Sequence, residues 1–139
     1  MNYLLDTCVI SEVVARRPAA RVLRWLADQG EEGLYLSVVS VGEIRRGIER
    51  LPGGNRKAEL DRWLRESLLL RFGRRCLPID ENVMAQWGVL VASLEAIGRP
   101  MSAFDALLAA TALLNGLTLV TRNESDFEDS GVPLLNPWR

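Results

Sequence analysis

The chain contains no histidine. That absence removes Ser-His-Asp triads, Cys-His pairs, paired-histidine nucleases and histidine-ligated zinc sites. Cysteine is scarce too. Cys8 and Cys76 lie far apart and form no metal-type spacing, so both read as buried apolar thiols rather than as a disulfide or a zinc site. Neither GxxxxGKS/T nor GxGxxG occurs, which excludes the glycine-rich loops that cradle nucleotides. No apolar run reaches the roughly 18 residues a membrane helix needs. The opening "MNYLLDTC" lacks a basic n-region and a cleavage site, so the expected protein is cytoplasmic, with no membrane contact. Lysine is nearly missing: Lys57 is the only one, and arginines cluster at 45, 46 and 50 and at 71, 74 and 75. Arginine suits bidentate phosphate contacts, but a formal net charge of −1 gives no bulk attraction for nucleic acid, and solvated helix faces explain the clusters equally well.

What is present is enough for one domain, expected to span residues 1–139. Short apolar runs alternate with helical spacing. "NYLLD", "LYLSV", "RCLPID" and "LTLVT" read as strands, with "VPLL" as a short fifth. Helices are expected at about 7–14, 18–29 (opened by Pro18), 39–51, 55–71, 80–97 and 102–115, the last ending at Gly116. Alternating strands and helices specify an α/β domain with a mainly parallel sheet of four to five strands, and right-handed crossovers place helices on both faces. A three-layer α/β/α sandwich is expected.

"MSAFDALLAATALLNG" at 101–116 is apolar on nearly every side and should be buried, yet Asp105 stands in its first turn. Three further acids share that kind of position: Asp6 after the first strand, Glu43 in the first turn after the second, and Asp126 beyond the fourth. A helix crossing between parallel strands begins where a strand ends, so all four collect at the carboxyl edge of the sheet, where open α/β sheets bind ligands. Glu31, Glu59 and Asp61 fall instead on polar faces or loops. Capping explains each acid singly. Asp6 has the position of an N-cap, and "SVGE" at 40–43, "SAFD" at 102–105 and "NESD" at 123–126 fit capping boxes. Capping does not explain acids facing one another. Clustered carboxylates repel and resist ionising without a counter-charge. A divalent cation supplies it, and hard oxygen donors favour Mg²⁺, with Mn²⁺ as a substitute. Such an ion lowers the pKa of water and offsets charge on a phosphodiester. The pattern therefore reads as metal-dependent phosphodiester hydrolysis.

At these residues the chain resembles the PIN-domain ribonucleases, in particular the VapC/FitB toxins of type II toxin–antitoxin systems. The resemblance is carried by "LLDTCVISE" at 4–12, "SVVSVGEIRRGI" at 37–48, "FDALLAATA" at 104–112 and "TRNESDFEDSGVPLLNPW" at 121–138, four ordered blocks covering essentially the whole chain. It implies an Mg²⁺-dependent endoribonuclease. Asp6, Glu43 and Asp105 match the family's first three acids, Asp6 and Asp105 as metal ligands. The fourth position is filled in some relatives directly after "TR", here Asn123, and in others before Phe, here Asp126; Asp126 is taken as the acid, with Asn123 as a neutral ligand or orienting group. Thr7 is implied to hydrogen-bond within the site. Cys8 departs from the Asn of many relatives and orients a neighbour less well. The resemblance further implies a homodimer, a small cognate antitoxin that occludes the acids, an RNA substrate, and operator DNA bound only through the antitoxin complex. Trp25, Trp63 and the apolar helix faces read either as core or as part of such an interface. Two alternatives stand beside this reading: a PIN nuclease acting on other RNA or structured DNA without a toxin role, and a non-catalytic binding module whose acids only cap helices.

Overall fold

Five short apolar runs form the strands of one sheet in the computed structural model, which describes residues 1–139. In chain order they are β1 (Tyr3–Leu5), β2 (Leu34–Ser37), β3 (Cys76–Leu77), β4 (Thr118–Val120) and β5 (Leu134–Leu135). Every pairing is parallel and the order is β3-β2-β1-β4-β5. The chain winds outward from β1 through β2 to β3, crosses back, and winds the other way through β4 to β5. The direction reverses between β1 and β4, at the centre of the sheet.

Side chains alternate across a strand, and here each face meets a different set of helices. Leu5 and Val120 join a core with α1 (Thr7–Val13), α2 (Ala20–Asp28), α3 (Val38–Glu49), α4 (Asn55–Trp63) and α5 (Leu69–Phe72) through Val9, Val22, Ile48, Trp63 and Phe72. Leu4 and Leu119 point the other way, into a second core with α6 (Glu81–Ala96) and α7 (Ala103–Asn115) through Leu90, Leu94, Leu108 and Ala109. The three layers follow from that alternation.

Several boundaries differ from the sequence pattern. α2 starts at Ala20, two residues after Pro18. The third strand shrinks from "RCLPID" to Cys76–Leu77, because Pro78 lacks the N–H a strand needs to continue the ladder. The long helix is continuous from Asn55 but takes a π turn at Leu64–Leu68 before α5. Leu64, Leu68 and Phe72 repeat every four residues and all are buried; the wider turn keeps that repeat on one face. α7 buries Ala106, Leu108, Ala109, Ala110, Thr111 and Ala112, but Phe104 and Leu114 emerge at its two ends. Its Gly116 cap is left-handed, with φ +63°, a conformation glycine adopts without steric cost. Both cysteines are free and half-buried rather than fully buried. Trp25 and Trp63 pack against the first core, and Trp25 meets the Tyr3 ring edge-on.

Three of the six clustered arginines are drawn into ion pairs. Arg71 and Arg75 pair with Glu31, and Arg45 bridges Glu49 and Asp61. Glu59 is exposed.

Leu119 is fully buried on the central strand β4. Replacing it with alanine should cost about 2–5 kcal/mol, read in urea as a lower midpoint with an unchanged slope.

Candidate active site

Asp6 follows β1 directly, where that strand's apolar register ends. Its backbone N–H still donates across the sheet to Val120 O at 2.9 Å, so the residue is locked to β4 before its side chain is considered. The residue is only 7 % exposed. Thr7 N donates to Oδ1 at 2.7 Å, and the buried Thr121 hydroxyl, one residue beyond β4, donates to Oδ2 at 2.8 Å. The Cys8 thiol lies 3.8 Å from the same Oδ2. Asp6 thus sits at the point where the sheet's winding reverses, tied to both halves.

Glu43 approaches from α3. That helix is capped by Ser37, whose hydroxyl accepts Val39 N–H. It starts three residues earlier than a Ser40 cap would require. Glu43 therefore lies in the second turn, not the first, and "SVGE" is not a capping box. Ser40 instead buries its hydroxyl 3.0 Å from Thr7 Oγ1. Thr7 Oγ1 donates its single proton to Glu43 Oε1 at 2.7 Å, so the Ser40 contact needs the Ser40 proton. Thr7 separates and holds two acids at once, Asp6 through its N–H and Glu43 through its hydroxyl.

Asp105 is the third residue of α7, where Ser102 caps the helix by accepting Asp105 N–H at 3.2 Å. The "SAFD" cap therefore exists and aims the acid at the site as well. Asp126 closes the 3-10 turn Glu124–Asp126 and is exposed, as is Asn123. The Asn123 side chain caps nothing, so "NESD" is no capping box; its backbone N–H donates to Thr121 Oγ1 at 3.0 Å.

Electrostatics connect the four acids. Burial is the main cause that pushes the Asp6 carboxyl above its ordinary range; the Thr121 and Thr7 hydrogen bonds oppose this, and the Glu43 charge adds to it. Asp105 is raised first by burial, then by the charges of Asp6 and Asp126. The Cys8 thiol is raised by burial and by Asp6. The acids therefore share one sheet edge and feel one another, yet no three Asp, Glu or Cys side chains are gathered closely enough to hold a metal ion among themselves. Asp6 and Asp105 offer two carboxylates, which suits an ion such as Mg²⁺ that keeps several of its waters.

Two concavities border this edge and the opposite layer. Asp105, Asp126, Glu128, Asp129 and Ser102 line an open polar cleft of about 660 Å³, with Arg99 paired to Asp129. A smaller apolar cavity of about 320 Å³ lies among Val13, Leu23, Leu26, Trp63 and Phe72, away from all four acids. Sequence reasoning did not single out Thr121 as a site residue and took Ser40 for a cap. The available signal was a hydroxyl closing an apolar strand in "LTLVT", a place where a polar group must find a partner.

Acids gather at the reversal point of an all-parallel α/β sheet, and the family model for the PIN domain matches residues 3–131. The chain belongs to the PIN-domain family. Within it, the relatives are of the VapC/FitB type. Plasmid stability protein StbB of Pseudomonas syringae pv. tomato is 42% identical over 97% of both chains. Toxin FitB of Neisseria gonorrhoeae is 38% identical over 97% of both. A VapC ribonuclease of Sinorhizobium fredii is 36% identical over 97% of this chain and 96% of its own. The solved structure of FitAB bound to a DNA fragment superposes with a TM-score of 0.94 at 36% identity, covering 99% of this chain and 96% of that one.

The raised carboxyl of Asp105 gives a stability test. In metal-free buffer the folded chain keeps this proton to a higher pH than the unfolded chain, whose value is near 3.8. Stability therefore falls as pH rises from about 4 through the raised folded value. Asp105→Asn should unfold at higher urea than the parent at neutral pH with EDTA present, and the difference should vanish toward pH 4.

Proposed function

We propose that the chain is a metal-dependent endoribonuclease that hydrolyses RNA phosphodiester bonds as the toxin of a type II toxin–antitoxin system. The carrying observation is the buried Asp6, coupled to Glu43 on one side and Asp105 on the other at the reversal of the sheet. Relatives named as a VapC ribonuclease and as toxin FitB support the same reading. Helix caps alone do not require a carboxylate buried beside two other acids, which disfavours the non-catalytic module.

Asp6 and Asp105 would hold Mg²⁺ or Mn²⁺. When bound, the cation supplies positive charge against the phosphodiester and lowers the pKa of water. The protein's own part is positional. Thr121 and Thr7 fix both oxygens of Asp6, so the carboxylate would meet an ion with little reorganisation. Thr7 also aims Glu43, the acid placed to accept a proton from an attacking water. Asp126 stands on the exposed rim beside Asp105, with Asn123 three residues before it.

The partners follow from the same reading: a cognate antitoxin that covers the acids, a second copy of the chain, and operator DNA reached through the antitoxin complex. FitAB has been solved on DNA. No helix of the chain is long and apolar enough to cross a membrane, and cytoplasmic action is part of the proposal.

Purified protein should cleave RNA with Mg²⁺ or Mn²⁺ and stop with EDTA. Asp6→Asn and Asp105→Asn should each reduce the rate on the order of 100-fold or more while keeping the parent's circular dichroism. Either variant cleaving at the parent rate would contradict the assignment. Growth on expression without antitoxin separates the toxin from a PIN nuclease of other purpose, since only the toxin should arrest its host.

A further inference from the structure

The C-terminal tail builds a rim on the site. Asn136 donates through Nδ2 to Arg122 O at 3.5 Å and to Glu124 Oε2 at 3.1 Å. Arg139 pairs with the same Glu124 carboxylate. Trp138 packs against the first core, which fixes its ring, and the Arg122 guanidinium lies 5.3 Å above that ring. Residues 136–139 thus clamp the loop that leaves β4, and Arg122 is the residue directly after Thr121, the hydroxyl that holds Asp6.

The charge arrangement on this rim is selective. Glu124, two residues from Arg122, is the acid nearest in sequence that could neutralise it. That carboxylate is taken by Arg139 and Asn136 instead. Ten of the sixteen arginines make no ion pair with an acid of the chain, and among those ten Arg122 alone is stacked on an aromatic ring. Its side chain is exposed. A guanidinium stacked on a fixed indole loses little further freedom on binding and keeps its N–H fork free for a planar or tetrahedral anion.

We propose that Arg122, supported by Trp138, is a phosphate-binding subsite for the RNA strand, contacting a phosphodiester next to the one presented to the acids. The inference rests on the ribonuclease reading above. It identifies a positive contact free of any ion pair on an edge where the other cation, Arg99, is paired to Asp129. The four acids and Glu128 and Asp129 repel an RNA backbone, so a fixed cation at the rim sets where the strand can approach. Contacts to phosphate position a strand without reading its sequence, so the contribution should be independent of the bases.

The test uses Asp105→Asn protein in EDTA, which holds RNA without cutting it, and a labelled single-stranded RNA of mixed sequence followed by fluorescence anisotropy. In this background Arg122→Ala should weaken binding about fivefold at roughly 0.1 M salt and make the plot of log affinity against log salt about 0.7 less steep, the loss of one phosphate contact. Arg122→Lys should keep the parent's salt slope, since the charge stays, and recover part of the affinity. Circular dichroism should show every variant folded, Arg122 being exposed. Arg122→Ala with the parent's affinity and slope would overturn the subsite and leave the nuclease reading intact. An Asp105→Asn protein that binds no RNA at all would overturn both.

Discussion

An aspartate held 7 % exposed at the end of a central strand is the constraint on which this molecule is built. Removing an ionised group from water is costly unless partners replace the lost hydration. Here two donors do so, one from each winding of the sheet: Thr7 N–H follows β1, and the Thr121 hydroxyl follows β4. The backbone bond from Asp6 N–H to Val120 O closes the same junction. A shift of β4 against β1 would break the Thr121 and Val120 bonds together, while the Thr7 bond is local to β1. The placement of the acid and the register of the two central strands are therefore one structural fact.

The other acids are arranged around that one by short hydroxyl links and helix ends. Thr7 touches both Asp6 and Glu43, and Ser40 supports Thr7 from inside α3. Ser102 starts α7 and so points Asp105 toward the same edge. Burial opposes ionisation of both Asp6 and Asp105, and neighbouring charge adds to it, from Glu43 at Asp6 and from Asp6 and Asp126 at Asp105. Such an arrangement lowers the stability of the empty fold, and a bound cation is the natural relief. Stability surrendered at a functional edge is recovered in the two apolar cores, which lie on opposite faces of the sheet and contain none of the four acids.

Arginine serves two purposes in this chain. Six of the sixteen guanidiniums serve as braces, holding among others Glu31, Asp61, Asp129 and Glu124. Arg122 departs from this pattern because the tail occupies its neighbouring acid and gives it an aromatic surface in exchange. The short segment Asn136–Arg139 thereby contributes to the rim of the site although it lies at the far end of the chain from Asp6.

The sequence by itself determined the alternation of strands and helices, the three layers and the side of the sheet on which acids gather. These follow from local periodicity, and from the rule that a crossover helix begins at a strand's carboxyl end. It also showed Asp105 as an anomaly, because a carboxylate on an apolar helix is visible without coordinates. Tertiary structure alone decided that Ser37 rather than Ser40 starts α3, which moved Glu43 one turn inward and converted Ser40 from a cap into a support for Thr7. It alone joined Thr121 to Asp6 across 115 positions, and it alone showed that the acids feel one another without three of them closing on a single point. The physical reason is range. Helix starts, strand periods and glycine stops are written in a few neighbouring residues. The choice of hydrogen-bond partner for a buried hydroxyl depends on which distant strand lies beside it.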